Sequence, residues 1–254
     1  MKSFKALALA AIMVMPSTTW AQDELETTVD ADIVSQYMWR GTEQSGFAIQ
    51  PEIGLKWQGL KFSIDGSVPF KHEETTEINI TLGYERWGFN VGVIDYWTKD
   101  VDVQNRYFYY DKENGGHQFE ANLGYTCKYG SLQAYTIFYG PDAKINGDRA
   151  YSTYVELSVP FKFGTLDWEF KAGITPMESA GYTTDRTVKT IWGDVGVKDP
   201  HYTYAEGFAC NLASIRATKE ARIGNLSLPI FAELHTNPYL KKANLLFGVT
   251  IRPF

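Results

Sequence analysis

Residues Tyr151 to Ile174, YSTYVELSVPFKFGTLDWEFKAGI, constrain the fold more than any other stretch. Taking every second residue, Tyr151, Thr153, Val155, Leu157, Val159 and Phe161 form one row. After a turn at 162–165, Leu166, Trp168, Phe170, Ala172 and Ile174 continue it. The opposite row holds Ser152, Tyr154, Glu156 and Ser158, then Asp167, Glu169, Lys171 and Gly173. A period of two means two antiparallel strands with one oily and one charged face. Each strand is about ten residues long, the length that crosses a bilayer when tilted. A hairpin of a soluble sandwich shows the same pattern, so its recurrence along the chain decides between them.

Twelve strands are expected. They are Thr27 to Trp39, Ala48 to Trp57, Leu60 to Phe70, Glu77 to Trp87, Phe89 to Trp97, Gln118 to Tyr129, Leu132 to Tyr139, the two of the opening hairpin, Gly207 to Thr218, Leu226 to His235 and Ala243 to Phe254. In the first, Val29, Ala31, Ile33, Tyr37 and Trp39 share a face. The seventh and tenth have no clean register. Pro229 falls inside the eleventh, where a barrel needs every donor, so a bulge is expected there. Connections alternate between short turns and longer loops, the longest being Thr98 to His117 and Thr175 to Glu206. That asymmetry belongs to outer-membrane barrels and has no cause in a sandwich. The fold class is therefore all-β, a transmembrane antiparallel barrel with both termini periplasmic. Closure removes sheet edges and satisfies every backbone group inside lipid.

The ends agree. Lys2 and Lys5 precede an apolar core from Ala6 to Met15, and Thr19 and Ala21 occupy the small-residue positions of a cleavage site. Residues 1–21 read as a cleaved signal peptide, leaving 22–254 as one barrel domain. Loss of two lysines leaves 22 basic against 30 acidic residues, a net charge of −8. This acidic balance argues against nucleic acid as a partner. Aromatic residues make up 15% of the chain, which in a barrel supplies the belts at the two membrane–water interfaces. Cys127 and Cys210 lie in separate strands and read as small apolar residues rather than a disulfide. The terminal Phe254 resembles the signal read by the barrel-assembly machinery, although Ile251 and Phe254, three apart, share a face only across a bulge at Pro253. Outer-membrane lipid and lipopolysaccharide are the remaining expected partners, with a small-molecule solute.

Ser35-Gln36-Tyr37-Met38-Trp39-Arg40-Gly41, then Gln44-Ser45, then Ile49-Gln50-Pro51, resembles the N-terminal signature of the TorF family of bacterial outer-membrane porins. Gln36 stands where that signature has Asp, and the Gln and Pro are arranged differently. The signature covers about twenty residues. The resemblance implies an outer-membrane barrel that works as a channel and names no substrate.

The inward rows supply candidate pore-lining residues: Glu52, Lys56, Lys61, Asp65, Glu85, Glu120, Lys128, Glu156, Asp167, Glu169, Lys171 and Glu233. Asp30 and Asp32 share that face. These charges either sort solutes in a water-filled lumen or interlock as ion pairs in a packed one. Arg40, at the start of the first loop, either reaches into the lumen or stays solvated at the rim. Two acid–histidine spacings, Glu233 with His235 and Asp199 with His201, leave a rim hydrolase as an alternative, and a closed structural or adhesive barrel as another. Neither spacing has a partner motif, so no catalytic residue is assigned. No three ligands are spaced for a metal, and no cofactor is expected. The run Tyr107-Phe108-Tyr109-Tyr110 either stacks on sugar rings or packs as a loop at the interface. The loops Thr98 to His117 and Thr175 to Glu206 are expected to shape the mouth.

Overall fold

The computed structural model describes residues 25–99, 106–112, 115–190, 193–224 and 226–252. The segment 1–21 expected to be a signal, and Pro253 and Phe254, lie outside them. In chain order the strands are β1 (Glu26–Val34), β2 (Tyr37–Trp39), β3 (Thr42–Ser45), β4 (Ala48–Trp57), β5 (Leu60–Pro69), β6 (Thr76–Arg86), β7 (Phe89–Lys99), β8 (His117–Cys127) and β9 (Gly130–Tyr139). They continue as β10 (Thr153–Phe163), β11 (Leu166–Thr175), β12 (Gly181–Thr190), β13 (Gly193–Tyr202), β14 (Ala209–Lys219), β15 (Arg222–Ile223), β16 (Leu226–Ser227), β17 (Ile230–Asn237) and β18 (Lys242–Ile251). Twelve of these close into an antiparallel barrel in the order β1-β18-β17-β14-β11-β10-β9-β8-β7-β6-β5-β4. Closure falls on β1, where Ala31 stands opposite Ile251 on one side and Pro51 on the other.

Alternation decides the two surfaces. Ile53, Leu55, Phe62, Ile64, Leu82, Val91 and Leu123 are exposed on the outside. Their strand neighbours Ser63, Asn79 and Glu120 are buried inside. An apolar exterior around a polar interior is the inverse of a soluble domain and the arrangement that hydrocarbon selects. Aromatics mark both rims. Trp57, Trp87, Tyr129 and Phe163 are exposed at the end with the tight turns. Phe47 and Phe70 stack at 4.6 Å at the end with the long loops.

The structure revises several expected boundaries. β1 stops at Val34, and Tyr37 and Trp39 belong to a separate two-stranded hairpin, β2–β3. They therefore leave the outer face assigned to them. Pro229 precedes β17 instead of interrupting it, because Leu226 and Ser227 pair back onto Arg222 and Ile223. Its carbonyl still accepts from Thr250 N at 2.9 Å, so only the missing donor is excluded from the ladder. The two strands without a clean register carry the bulges. Phe138 is extra in β9 where Phe119 faces Tyr139 and Glu120 faces Ile137. Asn211 is extra in β14 between the partners of Gly173 and Ile174. Part of the loop after Thr175 is the ribbon β12–β13. Both cysteines are free.

The outer face gives a direct test. Leu123→Arg should destabilise the barrel in a bilayer by about 2–4 kcal/mol, whereas Asn122→Arg, facing inward, should not carry that cost. Urea titration of folding into lipid vesicles would measure the difference.

Candidate functional site

After Val34 the chain turns inward. The reversal at Arg40-Gly41 has φ of +48° and +87°, matching the tight turns at Gln58-Gly59 and Trp87-Gly88. Two successive left-handed residues make the hairpin turn that suits strand twist, and Gly at the second costs nothing. A Cβ on Gly41 would meet Asn211 O at 1.9 Å, so the backbone approach also demands glycine. Arg40 in the left-handed region is strained.

The Arg40 guanidinium donates to both oxygens of Glu120, at 2.6 and 2.7 Å, and to Tyr204 Oη at 2.5 Å. Tyr96 Oη donates to Glu120 at 3.0 Å. The rings of Tyr135, Trp39 and Tyr154 lie 4.3, 4.5 and 4.9 Å from the guanidinium carbon. The two ionic side chains are 7% and 0% exposed. Burial by itself works against the Arg40 charge, but Tyr204 and Glu120 more than reverse it and hold its pKa well above the usual value. Burial pushes the Tyr204 hydroxyl up against the pull of Arg40, so it remains a neutral acceptor and donor. Gly173 makes room for this cluster, since a Cβ there would meet Tyr154 Oη at 2.0 Å.

The hairpin thus crosses the lumen. Arg40 fastens it to β8. Tyr37 Oη donates to Glu77 of β6 at 2.9 Å. On the far wall, Asn237 Nδ2 of β17 donates to Gly41 O at 3.2 Å. Val34, Ala48 and Phe231, with Tyr37 against them, form a small apolar core beside it.

Polar space remains around this strut. A cavity of about 520 Å³ is lined by Glu52, Lys61, Asp65, Glu85 and Asn122 among others. Lys56 bridges Glu85 at 2.5 Å toward the tight-turn end. A smaller cavity of about 150 Å³ lies between the hairpin and β11, β14 and β17, with Glu156, Lys171 and Glu233 in its wall. There Arg216 Nε donates to Glu233 at 2.7 Å and His235 Nδ1 bonds the other Glu233 oxygen at 2.8 Å. Glu169 accepts from Ser158 at 2.7 Å and pairs with Lys171 at 3.4 Å.

Two expected lining residues are elsewhere. Lys128 follows the end of β8 in a tight turn and sits over the Tyr129 ring, 4.8 Å away. Asp167 pairs with Lys162 at 3.0 Å on the turn-side rim, where both side chains are more than half exposed. The Glu233–His235 pair is real but buried within the barrel rather than placed at its rim. His201 lies on the β12–β13 ribbon, bonded to Thr184 at 2.9 Å and stacked on Tyr182. The aromatic run does not face the lumen. Tyr107 and Tyr110 pack against His117, which continues the outward row of Phe119 and Leu123. Asp95, also outward, bonds His117 Nδ1 at 2.8 Å beneath them. Of the two long loops, the second supplies Tyr204 to the lumen, while the described part of the first covers the outer wall. Arg216, and the inward tyrosines as a cluster around Arg40, were not legible as site residues.

No family model matches the chain, and no curated protein sequence does. Three solved structures are among those similar to it. The NanC porin shares 8% identity over 89% of this chain and 98% of that one, with a TM-score of 0.46. CdiB from Acinetobacter baumannii shares 8% identity over 89% of this chain and 59% of its own, at 0.35. Salmonella typhi OmpF, in complex with daunomycin, shares 12% identity over 90% and 96%, at 0.31. The twelve-strand closure itself stands on this chain's own strand pairing.

Removing one partner of a buried ion pair strands the other. Glu120→Ala should cost about 3–5 kcal/mol of stability. Adding Arg40→Met should recover much of that loss. A double-mutant cycle by denaturant unfolding in lipid vesicles measures both effects.

Proposed function

We propose that this protein is a bacterial outer-membrane channel for passive diffusion of small polar solutes, with its path narrowed by the Arg40 hairpin. The observation that carries the reading is the pinned strut, with polar cavities of about 520 and 150 Å³ in the same lumen. A barrel meant only to be filled has no use for charged cavities of that size. The apolar exterior and the aromatic rims support residence in a bilayer. Short turns at the end where β1 begins and β18 ends support a periplasmic position for both termini, with the Arg40 end facing outward. Residues 1–21 would direct export and be removed. Phe254 would present the last strand to the assembly machinery, and lipopolysaccharide would meet the outer aromatic rim. The resemblance of 35–51 to the TorF signature fits this reading, and the hairpin that carries it is the part inside the lumen.

A closed structural barrel is the second reading, favoured by the ion pairing of Arg40, Lys171 and Arg216 with Glu120, Glu169 and Glu233. A hydrolase is the weakest, because His235 is bonded inside the wall to Glu233, itself held by Arg216, and no strained nucleophile turn accompanies them among the described residues.

Recording refolded protein in planar bilayers separates these readings. Wild type should show small discrete current steps, and Arg40→Ala should enlarge them several-fold. Glu52→Gln with Glu85→Gln should shift the reversal potential toward anions, since acids outnumber Lys61 in that cavity. A folded wild type and a folded Arg40→Ala that both fail to conduct would overturn the channel.

A further inference from the structure

The smaller cavity holds one polar atom that the protein leaves unmatched. His235 Nε2 is buried and meets no donor or acceptor among the described residues, and its side chain is 7% exposed. The other ring nitrogen is fixed on the Glu233 carboxylate at 2.8 Å. A carboxylate accepts only, so the shared proton belongs on Nδ1, and in the neutral imidazole Nε2 is then a bare acceptor. It requires a donor. A buried acceptor left without one keeps the cost of its lost hydration.

The charges of the wall narrow what that donor is. Arg40, Lys171 and Arg216 face Asp32, Glu156 and Glu233 across the cavity, three of each sign. Each cation is already bonded to a carboxylate: Arg40 to Glu120, Lys171 to Glu169 and Arg216 to Glu233. No described cation there is left over to hold an anion, and an anionic oxygen offers Nε2 nothing. A hydroxyl offers both halves. It donates to Nε2 and accepts from the Gln36 or Gln50 amides. Phe231 and Tyr37 supply an apolar side for the carbon skeleton. A volume of about 150 Å³ suits a single six-membered ring or a short chain, since a cavity of about that size admits benzene.

We propose that this cavity is a subsite for a small neutral hydroxylated solute, a polyol or a single sugar ring, with His235 Nε2 as the acceptor that selects a hydroxyl. The proposal rests on the lumen being a solute path and adds the class of cargo.

Binding is read without requiring conduction. Erythritol and glucose are titrated against folded protein in detergent micelles by saturation-transfer NMR, with lactate as the anionic comparator. Wild type should bind the polyols and not lactate. His235→Phe keeps the ring and loses the acceptor, and should weaken polyol binding about tenfold. His235→Gln restores a polar atom near the position of Nε2 and should recover most of it. Polyol binding unchanged in His235→Phe, no polyol binding by wild type, or lactate bound more tightly than erythritol would each overturn the subsite. Bilayer recordings on the same preparations keep the two proposals apart. Polyol binding without current would sustain the subsite and remove the channel, whereas current without polyol binding would do the reverse.

Discussion

Backbone hydrogen bonding in a medium without water is the constraint from which the structure follows. A sheet whose outer face is Ile53, Leu82 and Leu123 cannot leave an edge strand in hydrocarbon. β1 resolves this by pairing on both sides, with β4 through nine residues and with β18 through four. Once the sheet is closed, alternation has a fixed consequence. Every second side chain is delivered to an enclosed space about twelve strands around, whatever its chemistry. Polar groups placed there must find each other or water. This is why Glu77, Asn79 and Asp65 bond in a chain and why Arg216, Glu233 and His235 form a second one.

The Arg40 hairpin answers the same demand from another direction. A buried guanidinium loses its hydration and is tolerated only with geometry as complete as a bidentate carboxylate, a phenol oxygen and three aromatic faces. Those partners outside the hairpin come from β8, β9, β10 and the 203–208 connection, so one side chain ties four segments to the first hairpin.

Much of this was legible in the sequence. Period two fixed twelve strands and the inward row, and it put Glu52, Asp65, Glu120 and Glu169 where they stand. Glu120 was legible as inward but not as the partner of Arg40, since the two are eighty residues apart and alternation carries no cross-lumen information. Tyr37 and Trp39 were misplaced because they keep the parity of Ile33 while the backbone at Ser35-Gln36 leaves the sheet. Parity says nothing about a strand that has ended. Phe138 and Asn211 broke the alternation by one residue each, so β9 and β14 looked irregular and Arg216 was lost with them. Lys128 and Asp167 show the opposite failure. They obey the alternation but sit at turns, where a side chain has solvent to reach and no reason to enter the lumen.

The shortest route to the lumen's centre turns out to be the first connection, not the longest. The hairpin leaves β1 at Val34 and re-enters β4 at Ala48, residues that face each other in the ladder. Its anchors therefore cannot separate without parting β1 from β4. Opening the path needs movement within 35–47 alone, and that movement must break the Arg40–Glu120 fork, the Tyr37–Glu77 bond or both. The bonds that narrow the lumen are also those that brace opposite walls. Permeability and stability are consequently coupled through the same few side chains, and a substitution that relaxes one relaxes the other. A longer, less tethered loop would decouple them, since it could swing aside without disturbing the walls. On this ground the lumen of the proposed channel has one fixed width set by its fold rather than a gate set by a free lid.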